Sequence, residues 1–142
     1  MMLRSIVAVL ALAGAVMTLS IDEASARRSL AIEPKPIIVG GRPAGCPVRY
    51  CGCAAARHVG LKGAQWNLAA NWLRLPRAAP AKGMAAARRG HVFILLRPVS
   101  GNRWLVFDPN SGRGLTRIHV RSLAGYTVIN PRSGIYASAR RR

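Results

Sequence analysis

The chain has 142 residues, of which 22 are Lys or Arg and only 4 are Asp or Glu, a formal net charge of +18 at pH 7. Apolar residues make up 51% of it, which excludes a disordered polycation and leaves enough carbon for one small core. Charge of this size favours polyanionic partners but assigns no function by itself.

The N-terminus has the pattern of a secretory signal: Arg4, an apolar run from Ile6 to Leu19 containing Gly14, and the small-residue cleavage site Ala24-Ser25-Ala26. The run is too short for a comfortable membrane span. No later segment approaches the roughly 20 apolar residues that a span requires, so no transmembrane segment is expected after signal removal. Residues 1–26 are expected to be cleaved and the mature chain to start at Arg27, in the periplasm or outside the cell. Removing Arg4, Asp22 and Glu23 from the 22 basic and 4 acidic residues leaves 21 and 2, a mature charge of +19. In that compartment the anionic partners are cell-wall polymers and acidic lipid headgroups, whereas nucleic acid, although electrostatically suitable, lies elsewhere.

Residues 27–45 carry Pro34, Pro36, Pro43 and Gly40-Gly41, with Ile37-Ile38-Val39 as the sole β-prone run, and read as an extended leader. A domain is expected over residues 46–131. Within it, residues 51–59 have high helix propensity and stop at Gly60, and residues 65–75 place Trp66, Ala69, Ala70 and Leu73 at helical spacing and stop at Pro76. Strands follow at residues 84–87, 91–96 and 103–108, the last two joined by a turn at Ser100-Gly101-Asn102. Residues 115–120 alternate apolar and polar, and residues 126–129 are a last short β-rich run. Residues 132–142, ending in Arg140-Arg141-Arg142, read as a disordered basic tail. Helices first and strands after predict an α+β fold, two N-terminal helices packed on a small antiparallel sheet.

Cys51 opens the first predicted helix in Tyr50-Cys51-Gly52-Cys53-Ala54-Ala55-Ala56. A thiol at a helix N-terminus is pushed toward thiolate by the helix dipole, and a histidine fixed on a sheet can take its proton. His91 has that context, preceded by Gly90 and followed by the apolar run Val92-Phe93-Ile94-Leu95-Leu96. His58 and His119 read as ordinary surface or half-buried histidines. A base histidine needs an orienting acceptor, and Asp108-Pro109-Asn110-Ser111-Gly112 closes the strand that the hairpin returns beside His91. Asp108 is the only acid in the folded part, and Asn110 could orient the ring in the neutral manner. The same five residues also make a good turn.

Cys46, Cys51 and Cys53 are an odd number of thiols in an oxidising compartment, so one is left over. Cys46 can bridge to Cys53 or to Cys51, whereas Cys51 and Cys53, separated only by Gly52, are poorly placed to bond each other. Three cysteines and His58 lack the spacing of a zinc site, and no metal or cofactor is expected.

Taken in order, Tyr50-Cys51-Gly52, Trp66-Asn67-Leu68-Ala69-Ala70-Asn71-Trp72, Gly83 with a short strand, Gly90-His91-Val92 and Trp104 to Asn110 resemble the CHAP-type amidase/peptidase domains of the papain-like cysteine hydrolase superfamily. The likeness is closer to a group of small exported proteins from rhizobia and related alphaproteobacteria. It covers residues 46–131. The resemblance implies a CHAP-like half-barrel with Cys51 as nucleophile, His91 as base and Asn110 or Asp108 as the orienting residue. It further implies an oxyanion site at the start of the first helix, and peptidoglycan peptide or amide bonds as substrate. Two positions depart from the pattern: Tyr50 stands where these domains carry a polar amide or acid, and Cys53 where an aromatic or polar residue is usual. The competing expectation is a non-catalytic periplasmic module that binds anionic envelope polymers through its charge.

Overall fold

The computed structural model describes residues 33–139. The predicted signal 1–26, leader residues 27–32 and the terminal arginines 140–142 lie outside the described residues. Six strands form one antiparallel sheet: β1 (Ile37–Gly40), β2 (Ala85–Arg88), β3 (His91–Ser100), β4 (Arg103–Asp108), β5 (Thr116–Ser122) and β6 (Thr127–Ile129), in the order β1-β5-β4-β3-β2-β6. Helical segments are few: α1 (Cys51–Val59), a 3-10 turn (Ala64–Asn67), α2 (Ala69–Trp72) and α3 (Arg132–Ala139). The fold is α+β.

Two tight hairpins fix the register at the centre of the sheet. Arg88 pairs with His91 around Arg89-Gly90, and Ser100 pairs with Arg103 around Gly101-Asn102, where Gly101 takes the positive φ of 51° that a two-residue turn needs. Pro98 falls where β3 has run past β2 and pairs with β4 alone, the edge position that a proline requires.

Strand alternation divides the core in two. On one face Ala85, Ala87, Val92, Ile94 and Ile129 pack against Cys51, Ala55 and Ala56 of α1 and against Leu61, Trp72 and Leu75. Alanine on both the strand and the helix lets α1 lie close to the sheet. On the other face Met84, Ala86, Phe93, Leu95, Trp104 and Val106 form a second cluster. Cys46, Tyr50, Cys53 and Ala54 make a third, smaller one around the start of α1.

Three expectations are corrected. The helix predicted over residues 65–75 is instead the 3-10 turn and α2, broken at Leu68, whose backbone is extended (φ −90°, ψ 119°). Side chains take the carbonyls that a continuous helix would use: Asn71 Nδ2 donates to Gln65 O and Trp72 Nε1 to Trp66 O, both at 2.8 Å. The broken segment also seats its backbone on α1, since a Cβ at Gly52 would stand 2.3 Å from Trp66 O. Second, the leader contributes β1, an edge strand that pairs Ile37 with Ile118 and Ile38 with Arg117. Third, Arg132–Ala139 are helical where a disordered tail was expected. Asn130 starts that helix, its side chain accepting the Arg132 N–H at 3.0 Å while Ser133 Oγ donates to its carbonyl at 2.8 Å. Among the described residues, no helix is long and apolar enough to cross a membrane.

Candidate active site

Cys51 is the first residue of α1, and its helix start is held from three sides. Tyr50, which precedes it, is buried and donates its hydroxyl to Gly114 O at 2.9 Å, beside Thr116 Oγ1 at 3.3 Å. Cys46 and Cys53 form a disulfide, so of the two pairings open to Cys46 it is the one that leaves Cys51 as a free, buried thiol. Gly52 completes the arrangement by admitting the Trp66–Asn67 backbone against the first turn. Tyr50 makes no side-chain cap, which leaves the first N–H groups of α1 uncommitted to it.

His91 opens β3 and stands beside Cys51, close enough for its imidazole to act on the thiol. Its Nε2 faces Asp108 Oδ1 at 2.5 Å. The Cys51 sulfur lies 4.0 Å from Gly90 O, in the hairpin turn just before the histidine. Register brings the acid to the base. Leu95 pairs with Val106, so His91 and Asp108, each an even number of residues away, share a face.

The Asp108 carboxylate is fully buried, and its second oxygen accepts from His119 Nε2 at 2.8 Å and Arg121 Nη1 at 2.7 Å. Arg121 also donates to Tyr126 Oη at 3.0 Å and lies over the Phe93 ring, 5.2 Å from its centroid. One buried acid therefore has three cationic or imidazole neighbours, and each of its oxygens has a partner.

Electrostatics follow from this geometry. Burial alone would depress His91, but its hydrogen bonds and charge interactions with Asp108 and Cys51 outweigh burial and lift it to about 9. Burial alone would raise Cys51, yet the hydrogen bond and charge of His91, with the N–H groups of Val92 and Gly52, bring it below its usual value. Asp108 is likewise opposed by burial and nevertheless held down at about 2 by His91, His119 and Arg121. These shifts favour a thiolate–imidazolium pair, a nucleophile and a proton donor side by side.

Of the two acceptors expected for His91, Asp108 is the one on the ring. Asn110 sits two residues further on with a left-handed backbone, φ 58°, in the turn that Arg117 braces by donating to Gly112 O at 3.0 Å. His58 stacks on Phe107 with ring centroids 4.1 Å apart, and burial lowers its pKa. Sequence reasoning passed over His119 and Arg121. The available signal was their spacing of two on one strand face, which gains meaning only when β5 lies beside β4 and pairs His119 with Val106 and Arg121 with Trp104. Among the described residues, no group of three or more His, Cys, Asp or Glu is placed to hold a metal ion.

No protein-family model matches the chain, and no curated protein or solved structure is significantly similar to it.

Proposed function

We propose that this chain is an exported cysteine amidase or peptidase, with Cys51 as nucleophile, His91 as general base and acid, and Asp108 as the residue that orients the imidazole. The observation that carries the reading is a free thiol at a helix start beside a histidine whose Nε2 is held by a fully buried carboxylate. In this scheme the thiolate attacks an amide carbonyl, forming a C–S bond. His91 gives its proton to the departing amine as the C–N bond breaks. Water, deprotonated by His91, then attacks the thioester, and the C–S bond breaks to release acid and regenerate the thiol. Backbone N–H groups at the start of α1 are suited to hold the oxyanion.

The same reading takes the fold as a CHAP-like, papain-like half-barrel in which α1 and the broken segment 64–72 stand for the helix pair. It takes the periplasm or the exterior as location and cell-wall peptide as substrate, concentrated by the mature charge of +19 that remains from 21 basic and 2 acidic residues. The test is digestion of purified peptidoglycan by the wild-type chain and by Cys51→Ala, with alkylation of Cys51 by iodoacetamide followed at neutral pH. Amine-terminated fragments are expected from the wild type alone, and a thiol that alkylates faster than a free cysteine. If Cys51→Ala digests as well as the wild type, the mechanism is wrong. Salt-sensitive binding to peptidoglycan with no release from either protein would instead favour a non-catalytic polyanion-binding module.

A further inference from the structure

At the other end of α1 from the thiol lies a cleft of about 410 Å³, within the size range of small-molecule sites. His58 and Val59, seven and eight residues beyond Cys51, place it roughly 10 Å further along the helix axis. Ile94, Leu96, Pro131 and Ile135 contribute apolar walls, and Lys82 and Arg132 stand at the rim. Both cations line this one cleft, and the Arg132 guanidinium passes over Gly83, the neighbour of Lys82 in the chain: a Cβ there would lie 3.5 Å from Nη2.

No protein acid neutralises this pair. The described residues contain two acids, and both are engaged elsewhere, Glu33 with Arg103 and Asp108 with His91, His119 and Arg121. His58, stacked on Phe107 and depressed by burial, adds a neutral wall and no third charge. Two cations on one cleft without a protein counter-charge gain from a bound anion, while the walls gain from hydrocarbon.

We infer that this cleft is a binding site for an amphiphilic carboxylate, its head held between Lys82 and Arg132 and its alkyl body against Ile94, Leu96, Pro131 and Ile135. The site is independent of the proposed hydrolysis and uses none of its residues.

The probe is decanoate, below its micellar concentration, titrated calorimetrically into the full chain, with decanol as the uncharged comparison. Saturable one-to-one binding of decanoate is expected, with decanol weaker by about tenfold or more. The double variant Lys82→Glu/Arg132→Glu should lose about tenfold or more, whereas Arg42→Glu/Arg74→Glu, an equal charge change outside the cleft, should lose less than about threefold. Ile135→Trp, which fills the cleft and leaves the charge intact, should weaken both ligands, and Cys51→Ala should bind as the wild type does. The inference is overturned if decanoate does not saturate, if decanol binds equally well, or if the two charge-reversed variants lose the same amount.

Discussion

The two faces of the sheet are held by different physics. On the helix side Ala55, Ala56, Ala85 and Ala87 bring α1 against Val92 and Ile94, and stability is spread over many small contacts. On the opposite side the apolar cluster of Phe93, Leu95, Trp104 and Val106 gives way, toward the start of β3, to one buried carboxylate that His91, His119 and Arg121 all address. The first face tolerates the loss of a contact and resists added volume. The second tolerates little change at one position, because removing Asp108 leaves three donors facing each other.

The largest effect should come from breaking the polar face. Asp108→Asn is expected to cost about 3–5 kcal/mol in denaturant unfolding and to return His91 toward its ordinary range. Alkylation of Cys51 at neutral pH should slow at least about tenfold. A cost under about 1 kcal/mol would mean that the two faces are alike.

Titration sharpens the same point. Asp108, held at about 2 against an ordinary 3.8, contributes stability that is complete above pH 3.8 and is lost as pH falls through 2. That contribution is worth about 2 kcal/mol. His91, raised to about 9 from 6.5, contributes stability that is complete below pH 6.5 and is lost as pH rises through 9. Unfolding midpoints should therefore be highest between about pH 4 and 6.5, and Asp108→Asn should flatten both limbs.

The alanine face is probed by adding bulk. Ala87→Leu should cost about 1–3 kcal/mol by thermal unfolding and should lift α1 away from His91, slowing Cys51 alkylation with little change in the pH profile of stability. The smallest effect belongs to a surface pair: Arg103 and Glu33 lie 2.6 Å apart with side chains 46% and 45% exposed, and Arg103→Ala should cost less than about 1 kcal/mol. A larger loss there would show that stability on this chain does not track burial of charge.

Much of this contrast was readable from local chemistry. Residues 51–59 have helix formers and stop at Gly60, which takes φ 80° as a helix-ending glycine does. Gly101-Asn102 carries the turn, and together these place Cys51, His91 and Asp108 in the right order along the chain. Local patterns did not show what distant partners decide. Ile37 and Ile38 are 58% and 60% exposed, so β1 exists through its pairing with β5 and leaves no burial pattern. Residues 65–75 carry a helical period, yet the Gly52 contact and the Asn71 and Trp72 hydrogen bonds favour a break at Leu68. Cys46 had two geometrically possible partners, and only the fold around Tyr50 separates them.

The shared carboxylate has a consequence for how this chain can change over generations. Because Asp108 serves His91, His119 and Arg121 at once, substitutions at the four positions do not act independently. A lineage that gave up the thiol would still lose stability on shedding His91, because Asp108 would then depend on His119 and Arg121 alone. One that lost Asp108 first would come under pressure to replace the other three together. Among descendants, retention of His91 together with Cys51 would mark selection on chemistry, whereas His91 kept beside Asp108 without the thiol would mark selection on the fold.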